Sequence, residues 1–385
     1  MTASTSTTGT TAPAGAPSAA KAEPAAAPEE GVAVGAPASP LLDLPGAVPA
    51  EGQDAGTAWH YGDPVREQRL LQQGLALVDL STRGVVRVSG PDRLTWLHSL
   101  TTQALADLPP RTSTEALLLS PKGHVEQDLH VVDDGEATWI TVEPGRQAEL
   151  VAFLDRMRFL LRVEVEDVTD RVAVVGEPVG REGAPGEPVA WVDPWPTTAP
   201  GGTSYAAVPD DQHPAAGRAW REVLVPRGEL EAFTADRDLA GSWAAEALRV
   251  EAWRPRAGAE TDHRTIPHEL DWLRTAVHLR KGCYRGQETV ARVHNLGRPP
   301  RRLVALHLDG SGHDLPPAGS ALSLPSEDGA PGRAVGAVTT SARHHELGPV
   351  ALAVVKRSTP PDAVLHVALP SGGVVTAAQE VVVAP

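Results

Sequence analysis

The sequence has a single cysteine, Cys283, among 385 residues. One thiol cannot form an intramolecular disulfide, and it excludes a zinc or iron–sulfur site built only of cysteines from one chain. A long chain without disulfides is typical of a reducing compartment, so we expect a cytoplasmic protein. No apolar run approaches the ~18 residues that a membrane helix needs, so we expect no membrane partner. The N-terminus also lacks the basic and apolar regions of a secretory signal.

Basic residues are scarce as well. Lys and Arg together number 34 against 49 Asp and Glu, so the formal net charge is −15. An acidic chain disfavours non-specific binding to phosphate backbones, and we expect no direct nucleic-acid partner. Lysine is rarer still, at positions 21, 122, 281 and 356 only. A lysine in such an arginine-rich chain indicates a position where a compact ammonium group serves better than a guanidinium, because the two groups differ in shape and in pKa.

Residues 1–56 contain no aromatic side chain and consist mainly of Ala, Pro, Gly, Ser and Thr. Such a segment cannot bury enough apolar surface to offset the entropy lost on ordering. We therefore predict a disordered extension over 1–56. The whole chain, at 385 residues, is long enough for two or three domains.

Helical and strand patterns alternate over residues 57–297. Asp63 followed by Pro64 predicts a capped helix, and a second helix is predicted over 91–104. The stretch 115–132 predicts a hairpin in whose second strand Asp128 and its polar neighbours face away from the apolar side chains. Residues 177–217, rich in Pro, Gly and Asp, predict a flexible surface excursion. These patterns predict an α+β region.

From residue 298 the pattern changes. Short Val-rich strands alternate with Gly and Pro turns to residue 385. This arrangement is typical of a small antiparallel barrel or sandwich.

The segment with the most chemistry is residues 281–292, KGCYRGQETVAR. Cys283 lies between two glycines and among basic residues, and positive neighbours stabilise a thiolate. Gln287 and Glu288 offer donor and acceptor groups to a planar heterocycle. The alternative is that Cys283 is a small buried apolar residue, as most lone cysteines are.

The string K-G-C-Y-x-G-Q-E resembles the signature of the YgfZ family of folate-binding proteins, relatives of the glycine cleavage T-protein. Further stretches resemble other blocks of this superfamily, over about residues 60–385: 80–103, 117–132, 246–273, 334–341 and 350–357. The resemblance implies a three-lobed T-protein-like ring with a tetrahydrofolate site in a central channel. In this ring, residues 57–297 would form two intertwined α+β lobes and residues 298–385 a C-terminal antiparallel β-barrel. It also implies a role in assembly or repair of iron–sulfur clusters, which supports cluster enzymes such as those that modify tRNA.

The resemblance implies roles for particular residues. Cys283 is the functional thiol, and Lys281 tunes it or binds the folate tail. Asp128 and Glu251 match blocks that border the folate channel, although each is equally consistent with a solvated or ion-paired surface position. Tyr284 contacts the pterin or packs in the core. The anionic folate tail needs a cation, and the sequence does not choose among Arg254, Arg256, Arg292 and Arg298; we include Arg292, Gln287 and Glu288 among the predicted folate ligands.

Two departures from the T-protein pattern weaken an aminomethyltransferase hypothesis. Gln127 stands where the T-protein has one of two adjacent acidic residues, and its TGYTGEDG-type segment is missing. The electrostatic stabiliser for an iminium-like transfer is therefore incomplete. A folate-dependent one-carbon transferase nevertheless remains the second hypothesis.

A third hypothesis is a metal or cluster carrier. Four histidines lie near Cys283 in sequence, at positions 263, 268, 278 and 294. Their spacing resembles no ligand motif, and a cluster would need thiolates from a second chain. We therefore predict no metal site, and we expect a folate and iron–sulfur client or assembly proteins as partners.

Overall fold

A computed structural model describes residues 1–3, 36–310, 314–326 and 331–385. Contacts divide the chain into units 1–33 and 34–385, and the second unit carries every helix and strand given below. Residues 4–35 of the predicted extension lie outside the described residues. In the part that is described, no helix is both long and apolar enough to cross a membrane.

One α-helix begins at the predicted Asp63–Pro64 cap, the helix predicted over 91–104 spans only Arg93–Leu100, and the described residues contain six α-helices in all. They are α1 (Pro64–Gln72), α2 (Arg93–Leu100), α3 (Gln147–Met157), α4 (Leu230–Thr234), α5 (Ser242–Glu251) and α6 (Gln287–Leu296). The cap of α1 is the one that the sequence indicates. The Asp63 carboxylate accepts a hydrogen bond from the Arg66 amide at 3.0 Å, and Pro64 occupies the first turn.

The strands divide into a small pair, two sheets and a barrel. In chain order they are β1 (Val48–Pro49), β2 (Ala58–His60), β3 (Ala76–Asp79), β4 (Gly84–Ser89), β5 (Ser113–Leu119), β6 (Val125–Asp133), β7 (Ala137–Val142), β8 (Glu164–Asp167), β9 (Val172–Glu177), β10 (Ala190–Val192), β11 (Arg221–Pro226), β12 (Asp238–Ala240), β13 (Arg301–Leu308), β14 (Ala321–Pro325), β15 (Pro331–His344), β16 (Gly348–Lys356), β17 (Val364–Ala368) and β18 (Val374–Val381).

Two five-stranded sheets form the first two lobes. The first has the order β10-β11-β9-β3-β12, in which only the β3–β12 pair is parallel. The second has the order β5-β6-β7-β4-β8 and is antiparallel throughout. Its strands lie in sequence between β3 and β9 of the first sheet. The two sheets are thus interleaved in the chain, and the α+β prediction is confirmed.

The third lobe is a closed antiparallel barrel of order β13-β16-β15-β14-β17-β18, closed by pairing of β18 with β13. It confirms the barrel predicted from the Val-rich strands. An apolar cluster joins the barrel to the rest of the fold. It contains Trp253 after α5, Trp272, Val290 of α6, Leu117 of β5 and Leu303 of β13.

Two segments predicted to be disordered or flexible are in part ordered and buried. Residues 36–56, predicted to be disordered, bury Leu41 and Ala50 and place Asp54 beside Arg256. Residues 177–217 have little regular structure, but Trp191 and Trp195 in this segment are fully buried. One or two buried apolar side chains are enough to order a segment that is otherwise made of small and polar residues. The average composition of such a segment therefore does not predict that it is ordered.

Candidate functional site

A small buried cavity of about 70 Å³ lies between the two sheets and α5. Strand β6 contributes Asp128 and His130, strand β10 contributes Trp191, and strand β11 contributes Glu222. The alternation along β6 that the sequence predicts explains this placement. Leu129 and Val131 pack into the apolar core of the second sheet, so the intervening polar side chains face the cavity.

Arg256 bonds three carboxylates at one edge of this cavity. Its guanidinium lies 2.7 Å from Asp54, 2.8 Å from Glu143 and 3.3 Å from Glu246. These partners come from the N-terminal segment, the end of β7 and α5. One arginine therefore ties three separate parts of the fold together.

Four further arginines line the same cavity, among them Arg254 and Arg83. Arg254 donates to Glu115 at 2.8 Å and to Asp193 at 3.2 Å. The guanidinium of Arg83 lies 3.5 Å from Glu222. The cavity wall is therefore a network of buried ion pairs, which is stable only while each charge keeps its partners.

The ion pairs shift the pKa values of the cavity carboxyls. Burial would raise the pKa of Glu143, but the guanidinium groups of Arg256 and Arg83 lower it to about 2. Burial opposes a similar shift at Glu222, where Arg83 and His130 lower the pKa to about 2. Both carboxyls are therefore ionised at neutral pH.

His130 and Glu115 shift the other way. Burial would lower the pKa of His130, but the carboxylates of Glu222 and Asp128 raise it to about 10. Burial raises the pKa of Glu115 to about 7, because Arg254 offsets only part of the desolvation. Near neutral pH the cavity thus holds an imidazolium and a carboxyl close to its midpoint.

Several buried polar atoms of this network have no hydrogen-bond partner among the described residues. They include the acceptors Glu115 Oε2 and Asp128 Oδ1 and the donors Arg254 Nη1 and Arg83 Nε. Buried polar atoms in proteins are nearly always paired. Unpaired donors and acceptors at one place therefore point to a polar ligand that offers both.

Two larger cavities adjoin the central one. The outer cavity, about 930 Å³, shares Asp128 and Glu143 with it. A further cavity of about 810 Å³ shares Asp193, Arg218 and Trp220. The central cavity therefore lies between two larger spaces that share its wall residues, and either is large enough for a ligand of drug size.

The signature segment lies at the rim of the outer cavity. Arg285 lines that cavity and pairs with Glu126 at 2.8 Å. Gly286 and Gly123, both with positive φ, pack against each other's loops: a Cβ on Gly286 would lie 2.9 Å from the Gly123 Cα. This close approach explains why glycine occupies both positions. It also holds the segment around Gly286 against the β5–β6 turn.

Cys283 is an exposed free thiol, so the alternative prediction of a buried apolar cysteine is wrong. Lys281 is buried instead. Its ammonium group donates to three backbone carbonyls at the end of α2: that of His98, that of Thr101 at 2.5 Å and that of Gln103 at 3.0 Å. Burial lowers the pKa of Lys281 to about 8. Its contacts are those of a helix cap.

The structure separates the predicted folate ligands. Asp128 lies in the wall of both the central and the outer cavity. Tyr284 is buried in the apolar cluster, below the Lys281 ammonium. Glu251 lines another cavity and pairs with His344 at 3.2 Å. The remaining three, Gln287, Glu288 and Arg292, lie on α6.

The α6 residues are not brought to the cavity of Asp128. Glu288 and Arg292 are exposed and pair with each other at 2.9 Å. Arg254 and Arg256 were also considered as ligands of the folate tail. Both line the central cavity, where each already has carboxylate partners.

Sequence reasoning missed most of the cavity wall. Glu115, His130, Glu143, Glu222 and Arg83 were not among the predicted site residues. The signal that was present is the polar face of β6, which includes His130 as well as Asp128. The others come from strands distant in sequence, and nothing in their local patterns marks them.

The four histidines near Cys283 in sequence are dispersed. His268 is buried against Tyr205, whereas Tyr205 OH lies 3.0 Å from His294 on the exposed side. His263 lines the outer cavity and His278 the cavity beyond the central one. Among the residues that the structure describes, they do not form a ligand group around Cys283.

Sequence comparison finds one family and two curated relatives. Residues 46–176, which include Asp128, match the GCVT N-terminal domain family. A putative chloroplastic transferase of Arabidopsis thaliana is 26% identical over 259 residues, which are 61% of this chain and 56% of that protein. A mitochondrial iron–sulfur cluster assembly factor IBA57 homologue of Mycosarcoma maydis is 26% identical over 270 residues, 63% of this chain and 61% of that protein.

The match with each relative thus spans less than two thirds of the relative's length. These relatives are named for a chloroplast and a mitochondrion, so the matches do not support the cytoplasmic location expected from the lone cysteine. They support a relationship to the GCVT N-terminal domain over residues 46–176, and one relative is named for iron–sulfur cluster assembly, but they do not single out the YgfZ branch.

Structural comparison supports the fold. The glycine cleavage system aminomethyltransferase T of Bartonella henselae superposes with a TM-score of 0.70 and 17% sequence identity, over 90% of this chain and 95% of that one. At this identity the likeness establishes the T-protein-like fold alone.

Proposed function

We propose that this protein binds tetrahydrofolate or a derivative in the central and outer cavities, and that it serves iron–sulfur proteins as an accessory factor in cluster assembly or repair. Cys283 is the functional thiol of this proposal. The clients are cluster-dependent enzymes, such as those that modify tRNA.

The observation that carries the folate half is the set of unpartnered buried atoms around Asp128. A reduced pterin has an amide and amino edge that offers donors and acceptors side by side, which suits unpaired oxygens and guanidinium nitrogens together. The outer cavity has room for the rest of the molecule. Asp128 would hold the amino edge, and a bound folate supplies a carrier for one-carbon groups.

The iron–sulfur half is supported by the assembly-factor relative and by the position of Cys283. The thiol is exposed, two residues from Arg285 in the wall of the outer cavity. A large partner has access to an exposed thiol at the rim, whereas it has none to the buried network. This division suits a protein that holds a small molecule inside and meets a client outside.

Folate binding is tested by calorimetric titration with tetrahydrofolate under anaerobic conditions. We expect Asp128→Asn to weaken binding at least tenfold, because a hydrogen bond to a charged group contributes about 1.5–3 kcal/mol. Glu288→Gln, on the exposed face of α6, is the matched control and should bind like the wild type. Absence of binding by the wild type would remove the folate half of the proposal.

The thiol is tested in cells that lack the protein, by measuring iron–sulfur enzyme activities after complementation. We expect Cys283→Ala and Cys283→Ser to fold and to bind tetrahydrofolate normally, because the side chain is exposed, yet to fail to restore those activities. Glu288→Gln again serves as the control. Full restoration by either cysteine variant would show that the thiol is dispensable.

The second candidate is a folate-dependent aminomethyl or one-carbon transferase. The position of Asp128 in the cavity favours it, because a carboxylate there can face the reactive part of a folate. Gln127 in place of the adjacent acidic residue argues against it. A transferase would turn over a one-carbon donor with Cys283 replaced, so the same variants separate the two functions.

A further inference from the structure

Three side chains of metal-ligand type meet on neighbouring strands of the second sheet. Glu115 of β5 stands directly opposite His130 of β6 in the antiparallel register, and Asp128 is two residues before His130. A ligand atom from each of the three lies within 4.8 Å of the others. All three residues are buried. The sequence does not reveal this group, because Glu115 and Asp128 come from different strands.

One oxygen of each carboxylate in this group has no hydrogen-bond partner among the described residues. Glu115 Oε2 and Asp128 Oδ1 are buried without a hydrogen-bond partner, and their side chains are only 0% and 7% exposed. A carboxylate oxygen removed from water without a partner is costly. Two such atoms beside one imidazole favour a cation between them.

His130 is held as a metal-bound histidine usually is. Its Nδ1 lies 2.9 Å from Glu222, and its ring stacks on Trp191 at a centroid distance of 3.6 Å. A carboxylate on the far nitrogen fixes the ring and raises the basicity of the other nitrogen. That nitrogen, Nε2, lies 3.6 Å from Asp128 Oδ2. Two ligands of a tetrahedral ion with bonds near 2.1 Å lie about 3.4 Å apart, so this separation suits a shared ion.

The surrounding charges leave room for a cation. Arg254 bonds Glu115 through Oε1, which leaves the unpaired Oε2 available to an ion, and Arg83 pairs with Glu222. The carboxyl groups that line the cavity, together with Glu115, number seven against five guanidinium groups, so two negative charges are in excess when all of them are ionised. A divalent ion bound beside a neutral His130 would balance this excess, with any proton of the imidazole lost to solvent.

We propose that Glu115, Asp128 and His130 bind one divalent first-row transition-metal ion, with Glu222 as the positioning residue for His130. Two carboxylates and one imidazole suit Mn²⁺, Fe²⁺ or Zn²⁺ better than Mg²⁺, which prefers oxygen ligands only. The metal site shares Asp128 with the proposed folate site, but metal binding is measured without folate and through Glu115 and Glu222, so failure of one assignment is distinguishable from failure of the other.

The test is calorimetric titration of the chelator-treated protein, without folate, with Mn²⁺, Zn²⁺ and, under anaerobic conditions, Fe²⁺. We expect one ion per chain. Glu115→Gln should weaken binding at least tenfold, and Glu222→Gln should weaken it 10- to 100-fold, as loss of outer-shell partners usually does. The matched control is Glu136→Gln, an exposed carboxylate at the β6–β7 turn of the same sheet.

Circular dichroism of each variant separates loss of the site from loss of the fold. If Glu115→Gln does not fold, pulsed EPR of the wild type with Mn²⁺ decides, because one imidazole nitrogen should couple to the ion. No binding of any of the three metals, binding that Glu115→Gln leaves unchanged, or a spectrum without nitrogen coupling would each overturn the assignment.

Discussion

Replacing Arg256 by methionine is expected to destabilise the protein by about 3–5 kcal/mol, the usual cost of removing one partner from a buried ion pair. Methionine keeps much of the side-chain volume, so the loss comes from charge rather than from a cavity. Asp54, Glu143 and Glu246 lose a shared guanidinium at 2.7–3.3 Å. Among the charged neighbours of Glu143, Arg256 lowers its pKa the most. Without Arg256, the buried Glu143 carboxylate is much less stabilised in its ionised form.

Urea denaturation at pH 7 measures this effect. The control is Arg292→Met, whose exposed partner Glu288 is an i,i+4 neighbour on α6; exposed pairs of this kind contribute only about 0.3–0.5 kcal/mol. A loss of less than 1 kcal/mol in Arg256→Met would mean that the network tolerates a missing guanidinium. The variant should also loosen the segment around Asp54, which limited proteolysis would detect.

The second large effect is expected at Lys281. Replacing it by methionine removes the donor that three carbonyls share at the end of α2, so we expect a loss of at least about 2 kcal/mol. The carbonyls belong to His98, Thr101 and Gln103. Thermal or urea unfolding measures the change. Lys356→Met is the control, because that exposed lysine donates to one carbonyl, of Ala334.

The same variant separates the cap from the role that the family resemblance implies. If Lys281 binds the folate tail or tunes Cys283, Lys281→Met should lower folate affinity or client support at temperatures where it is fully folded. If it is a helix cap, tetrahydrofolate affinity stays at the wild-type value while stability falls. A stable Lys281→Met with weakened folate binding would contradict the cap.

The buried ion-pair network also affects which arginine can bind the folate tail. Arg254 and Arg256 already have carboxylate partners, so either would have to give up an ion pair to hold the folate tail. Arg285, which the sequence treated only as a positive neighbour of Cys283, lines the outer cavity and has one exposed pair with Glu126. Its position makes it the more accessible cation at the rim.

What the sequence by itself determined was local. The cap of α1, the alternation along β6 and the Val-rich strands of the barrel all follow from patterns within about ten residues, because side-chain direction repeats with the period of the helix or strand. The motif around Cys283 was equally readable, since its glycines, cysteine and basic residues are contiguous. The α+β class followed from the order of these elements.

Only the tertiary structure decided the site. Arg83, Glu115, Glu222 and Arg254 come from separate strands and loops, and pairing across the two interleaved sheets brings them to one cavity. The same packing turns Lys281 inward to the end of α2 and leaves Cys283 exposed two residues later. A buried charge is kept only where its partners converge, and convergence of distant segments is a property of the packed chain rather than of any local pattern.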